Sequence, residues 1–176
     1  AEVTLFQRTP PWIIPNPDYF KDVPDGVHWL LNHVPGYAKW FRFSMFWRSA
    51  EGLLEGVAVD EKWHVSERSV SPLNDQFRGM LIENLKSELG ENPELLEKCT
   101  PTYPPGSKRA LIDDGKWLRT LKRENVHLLT NPIEAITPKG VRTQDGTHHD
   151  FDVLIYATGF RASTFLFPMA IYGASG

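Results

Sequence analysis

Asp152-Val-Leu-Ile-Tyr-Ala-Thr-Gly-Phe160 decides the fold: it is a nearly unbroken apolar run that ends in small residues. A run of this length bounded by a turn reads as a strand covered on both faces, the kind found in a parallel sheet flanked by helices. Ala157-Thr158-Gly159 then lets the backbone leave the sheet, because glycine carries no Cβ and tolerates positive φ. Ligands of open α/β sheets sit beyond the carboxyl ends of such strands. A plain buried strand followed by glycine would have the same sequence, so the neighbouring segments must decide between a site and a scaffold.

Immediately upstream, Val141 to Thr143 and His148 to Tyr156 read as two strands joined through Asp145-Gly146, the dipeptide preferred in tight hairpins. His148 and His149 then point to opposite faces and do not share a metal. Ile133 to Ile136 and Asn125-Val-His-Leu-Leu129 are further short strands. A helix over Gly115 to Arg123 buries Trp117, Leu118 and Leu121. Before it lies Thr102-Tyr-Pro-Pro-Gly-Ser-Lys-Arg109, a loop stiffened by two prolines, with Lys108 and Arg109 side by side. Adjacent cations on a stiff loop suit an anion between or near them. A solvated basic turn is the other reading.

The first strand is Val3 to Phe6, stopped at Gln7-Arg8-Thr9-Pro10-Pro11, where prolines cannot continue a ladder. In a dinucleotide-binding βαβ unit an arginine near the end of the second strand accommodates the 2′-phosphate of NADP. Arg8 with the Thr9 hydroxyl has that chemistry, and a surface arginine before a turn is the competing reading. Positions 20 to 100 read as helical. Asp25 is placed to cap a first helix carrying Val27, Leu30, Leu31 and Val34. Pro35-Gly36 breaks it, and an aromatic band of Tyr37, Trp40, Phe41, Phe43, Phe46 and Trp47 follows, too wide for one seam. Core is the first reading of that band; a docking face or a channel wall are the others. Pro72 to Gly90 is a helix with Phe77, Met80, Leu81 and Leu85 on one face and Gly90 as its stop. A short helix lies around Pro93 to Lys98.

Composition narrows the classes. The 176 residues are 41% hydrophobic and 12% aromatic, enough for one core or two small ones. A net charge of -3 with interspersed signs argues against general nucleic-acid binding. One cysteine, Cys99, excludes an internal disulfide and a cysteine-rich zinc site. No His/Cys ligand set and no serine or cysteine nucleophile with an obvious base is visible, so no metal is expected. Without a signal-type start or an apolar stretch long enough for a bilayer, the chain reads as soluble and cytoplasmic. It opens directly on a strand without methionine and reads as an excerpt of a longer protein.

Taken together, Phe6-Gln-Arg-Thr-Pro10, Tyr103-Pro-Pro-Gly-Ser-Lys-Arg109, Asn125-Val-His-Leu128, Gly140-Val-Arg-Thr143, Asp145-Gly146 and Ala157-Thr-Gly-Phe160 resemble, in order and separation, the Baeyer–Villiger monooxygenases. Val23-Pro-Asp-Gly26, His33-Val-Pro35 and Phe46-Trp47 resemble the 4-hydroxyacetophenone monooxygenase branch of that family. The resemblance implies an α/β fold: part of a doubly wound, Rossmann-like NADP-binding domain over 1–19 and 101–160, a helical insertion over 20–100, and a return segment toward an FAD domain over 161–176. It implies an enzyme using FAD and NADPH that inserts one oxygen atom of O2 into a ketone, an aryl ketone for this branch, to give an ester. It further implies that Arg8, Thr9 and Lys108 contact NADP phosphate, that Arg109 is the catalytic arginine near flavin and nicotinamide, and that Ala157, Thr158 and Gly159 form the cofactor-side turn back to the FAD domain. A guanidinium suits that task because it keeps its proton and stabilises negative charge on oxygen.

The chain departs from the pattern in several places. It contains no G-x-G-x-x-G, and the fingerprint for NADP is expected just before Ala1. The family's Phe-x-Gly-x-x-x-His-x-x-x-Trp signature and flavin-side aspartate are missing, and Arg161 stands where many relatives carry aspartate. With the phosphate-cradling turns gone, the excerpt by itself is expected to be inactive and to need the remainder of a parent chain. An N- or S-oxidising flavin monooxygenase, or an interaction module on a dinucleotide-domain scaffold with the aromatic band as its docking face, are the competing readings.

Overall fold

The computed structural model describes residues 1–159, 169 and 172–174, without the side chains at 48, 49, 51 and 52. The chain forms two compact units, Ala1–Asn131 and Pro132–Gly176. In chain order the first contains β1 (Val3–Phe6), β2 (Ile13–Pro15), α1 (Asp25–His33), α2 (Tyr37–Val57), α3 (Pro72–Leu89), α4 (Pro93–Cys99), β3 (Leu111–Asp113), α5 (Lys116–Leu121) and β4 (Val126–Leu129).

Both pairings in this unit are parallel, as the α/β reading requires. β1 pairs with β4, Val3 opposite Val126 and Phe6 opposite Leu129. β2 pairs with β3, Ile13 opposite Leu111. Pro10-Pro11 separates β1 from β2, since neither proline has an N–H to offer a ladder. The core gathers where α3 meets the strands. Leu81, Leu85 and Leu89 recur every fourth residue, which puts them on one helix face, and they are 2%, 0% and 1% exposed. They pack with Trp12, Ile13, Leu95, Cys99, Leu118, Leu121 and Leu128. Each fully buried leucine contributes about 1.5–3 kcal/mol.

Capping fixes where the two core helices start. Ser71 Oγ accepts from Asn74 N (3.1 Å) ahead of α3, and Asn92 Oδ1 accepts from Leu95 N (3.0 Å) ahead of α4. Each is followed by a proline at the first helical turn, where the missing N–H costs nothing. Asp25 does not play this part: it is the first residue of α1, Pro24 precedes it, and no side chain caps the helix. Met80 also departs from expectation at 65% exposed, because one residue before Leu81 is about 100° round the helix. The aromatic band on α2 is not core in the described structure: Trp40, Phe43 and Trp47 are 60%, 57% and 50% exposed.

The second unit is an antiparallel meander of β5 (Ile133–Thr137), β6 (Gly140–Thr143) and β7 (His148–Asp150), in the order β5-β6-β7. The Asp145-Gly146 turn forms as read. Thr143 N donates to Thr147 O (2.9 Å), and Asp145 Oδ1 accepts from Thr143 Oγ1 (2.6 Å) and Thr147 N (3.0 Å). The Thr143 hydroxyl first, then the Thr147 amide, hold the Asp145 carboxyl below the usual carboxylate range.

The strip after β7 differs from its sequence reading. No strand is present from 152 to 159. Val153, Ile155 and Tyr156 are 74%, 82% and 67% exposed. The ladder ends because Gly140, the first residue of β6, already faces Asp150, and the last bond is Phe151 N to Lys139 O (2.9 Å). Beyond that point no described strand runs alongside, and a run that is apolar on both sides is covered only by two layers. Phe160, Arg161 and nearly all of the return segment 161–176 lie outside the described residues.

Candidate functional site

The carboxyl end of β1 and the loop before β3 meet through one tyrosine. The β1 ladder closes with Gln7 N donating to Leu129 O (2.8 Å), and the Gln7 side chain holds Lys98 O (3.0 Å). Arg8 follows, exposed, then Thr9, half-buried. At the next residue Pro10 O accepts from the Tyr103 hydroxyl (2.9 Å). Trp12 Nε1 in turn donates to Tyr103 O (2.9 Å), with the two rings edge to face at 6.3 Å. Burial pushes the Tyr103 phenol up, so it stays a donor at neutral pH.

Lys108 Nζ stands 4.5 Å from the centre of the same Tyr103 ring, within range of a cation–π contact. One side chain therefore connects the backbone beside Arg8 and Thr9 to the ammonium of Lys108. Arg109 is exposed next to it, two residues before β3, whose Leu111 N donates to Trp12 O (2.8 Å). Among the described residues Arg8, Lys108 and Arg109 have no carboxylate partner, whereas Lys86 and Lys98 are paired with Glu83 and Glu94. Exposed cations without a counter-charge, beside a hydroxyl, fit phosphate oxygens. The sequence itself carries no glycine-rich cradle of the kind that holds a flavin's phosphates.

Ala157, Thr158 and Gly159 belong to the second unit and are exposed. Gly159 has φ +89°, the left-handed region open to glycine. Among the described residues no group of His, Cys, Asp and Glu side chains could hold a metal ion. No helix among them is long and apolar enough to cross a membrane.

Two residues near the site have roles the sequence reading missed. Asp113, 6% exposed at the end of β3, holds the start of α5, whose N-cap is Gly115: Oδ1 accepts from Gly115 N (2.9 Å) and Oδ2 from Trp117 N (2.7 Å). An aspartate just ahead of an apolar helical repeat was the available signal. Asn74 is 0% exposed and binds the loop that carries Lys108 and Arg109. Nothing in the local sequence separates it from a surface asparagine.

The fold is a partial α/β fold shared with monooxygenases of known structure. The crystal structure of OTEMO with FAD and NADP superposes with a TM-score of 0.62 at 23% identity, over 92% of this chain and 34% of that one. Cyclohexanone-bound cyclohexanone monooxygenase superposes at 0.63 and 25% identity, over 92% and 36%. No protein-family model matches the sequence.

Particular relatives in sequence are monooxygenases as well. The chain is 35% identical to an FAD-binding monooxygenase of Aspergillus niger, over 100% of the chain and 27% of the relative. It is 41% identical to the 2-oxo-Δ3-4,5,5-trimethylcyclopentenylacetyl-CoA monooxygenase of Pseudomonas putida, over 93% and 34%. It is 27% identical to a Baeyer–Villiger monooxygenase of Pseudomonas aeruginosa, over 100% and 31%. The chain thus spans about a quarter to a third of the length of the curated relatives it matches.

Proposed function

We propose that this chain is the phosphate-gripping part of a longer FAD- and NADPH-dependent Baeyer–Villiger monooxygenase, in which Arg8, Thr9 and Lys108 hold NADP phosphate and Arg109 serves the reaction centre. The observation that carries the reading is the pair of exposed, unneutralised cations joined through Tyr103: Lys108 over its ring, and Arg8 two residues from the carbonyl its hydroxyl binds. The similarity to named monooxygenases over almost the whole chain supports it.

In that protein residues 1–19 and 101–160 supply part of the NADP domain, 20–100 the helical insertion and 161–176 the return toward the FAD domain, with Ala157, Thr158 and Gly159 at the turn. FAD is held by the remainder of the parent chain. When bound, the flavin and the nicotinamide supply oxygen transfer and reducing equivalents. The residues of this chain orient and stabilise. Arg8 and Lys108 neutralise the 2′-phosphate, which selects NADPH over NADH. The Arg109 guanidinium stabilises negative charge on oxygen as the ketone carbonyl is attacked, without losing its own proton. The substrate class is a ketone, and the motifs of the 4-hydroxyacetophenone branch favour an aryl ketone; the product is an ester. The protein is placed in the cytoplasm, and by itself the 176-residue piece is inactive and purifies without FAD.

The test is cofactor preference in the full-length protein. Arg8→Ala and Lys108→Ala each lower kcat/KM for NADPH by about tenfold or more, the equivalent of one charged hydrogen bond, and leave NADH nearly unchanged. Equal losses for both cofactors would remove the phosphate assignment. Screening ketones against amines and sulfides tests the substrate class, and turnover of only amines or sulfides would replace Baeyer–Villiger chemistry with N- or S-oxidation.

A further inference from the structure

The loop bearing Lys108 and Arg109 is anchored by a side chain from a distant segment. Asn74, in the first turn of α3, is 0% exposed, yet its polar atoms are all used. Nδ2 donates to Gly56 O (2.7 Å) at the end of α2 and to Pro105 O (3.0 Å), while Oδ1 accepts from Val70 N (3.2 Å). A carboxamide is suited to this junction because it offers two donors and an acceptor on one short planar group. Leucine, of similar size, would leave two buried carbonyls and the half-buried Val70 amide without this partner.

A second contact pins the next residue. Gly106 has φ +87°, and a Cβ there would collide with Val57 Cγ1 of α2. Pro105 and Gly106 are thus fixed against the last turn of α2, immediately before Ser107 and Lys108. From the other side Tyr103 ties the same loop to Pro10 and Trp12. The loop is held at two points, one against the helices and one at Pro10 and Trp12, shortly after Arg8 in the chain.

We propose that Asn74 is a positioning residue for the cationic loop: through Pro105 it sets where Lys108 stands relative to Arg8, and the preference for NADPH depends on it although it touches no cofactor. This rests on the phosphate reading above. The experiment uses the full-length protein with Asn74→Leu, Asn74→Ser and, as reference, Lys108→Ala. The readouts are the ratio of kcat/KM for NADPH to that for NADH, bound FAD and thermal midpoint.

Asn74→Leu lowers the NADPH:NADH ratio by about tenfold, the effect of displacing one charged contact, with bound FAD retained. Asn74→Ser, whose hydroxyl offers one donor in place of two, gives an intermediate fall and carries the test if the leucine variant does not fold. A lower thermal midpoint with an unchanged ratio would make Asn74 a purely structural residue and overturn the proposal. A ratio that falls in Lys108→Ala but not in the Asn74 variants sinks the positioning role alone. A ratio unmoved in Lys108→Ala sinks the phosphate reading and this proposal with it.

Discussion

α3 and α2 are both rich in apolar residues at helical spacing, yet they meet opposite environments. On α3, Leu81, Leu85 and Leu89 are at most 2% exposed; on α2, Trp40, Phe43, Trp47 and Leu54 fall at comparable spacing and are 50% to 69% exposed. Elsewhere on α2, Gly56 is buried and Phe41, Ser44 and Val57 are half-buried. α2 also carries Lys39, Arg42, Arg48, Glu51 and Glu55, so its exposed aromatic residues stand among charges along a helix with no single apolar stripe. Periodicity tells which face could be buried. It does not tell whether the covering layer is at hand.

The sharpest way to break the comparison is to truncate one leucine on each helix. Leu85→Ala, at 0% exposed, is expected to cost about 2–5 kcal/mol in chemical denaturation, whereas Leu54→Ala, at 69% exposed, stays within about 0.5 kcal/mol. Equal costs would mean that α2 is covered and that the contrast is false. A smaller effect is expected at the cap next to the core: Asn92→Ala removes the acceptor for Leu95 N and costs about 1 kcal/mol by the same measurement.

Cys99 sharpens the buried side of the contrast through pH. Burial in the core pushes its thiol up to about 11 from the ordinary 9.0, against the weaker opposing pull of Lys98. The folded state therefore binds the proton more tightly than the unfolded state, and this contribution to stability is whole below pH 9 and is lost as pH rises toward 11. Denaturation midpoints are expected to fall over that window, and Cys99→Ala to flatten the fall. An unchanged slope in the variant would show that the thiol is not desolvated.

Much of the frame was legible in the sequence because local chemistry determined it. Pro72 and Gly90 bracket α3, Pro10-Pro11 ends the first strand, and Asp145-Gly146 makes the hairpin; each acts within a few residues of itself. The strip from Asp152 was misread for the complementary reason. Its apolar character describes what would cover it, and a strand exists only where a neighbour offers N–H and C=O groups. Met80 failed on angular position and Asp25 on the proline before it. At the candidate site, the sequence put Lys108 and Arg109 on a stiff loop but gave no hint of Tyr103 linking them to Pro10, or of Asn74 reaching Pro105 across 31 positions. Contacts between distant segments leave no spacing to read.

The most direct measurement is product formation by the full-length protein carrying Arg109→Ala, followed alongside NADPH consumption. If Arg109 stabilises oxygen charge at the reaction centre, NADPH is still oxidised while ester formation drops by about a hundredfold or more, the loss typical of removing one preorganised charge-stabilising donor. Ester formation at the wild-type rate would contradict the assignment.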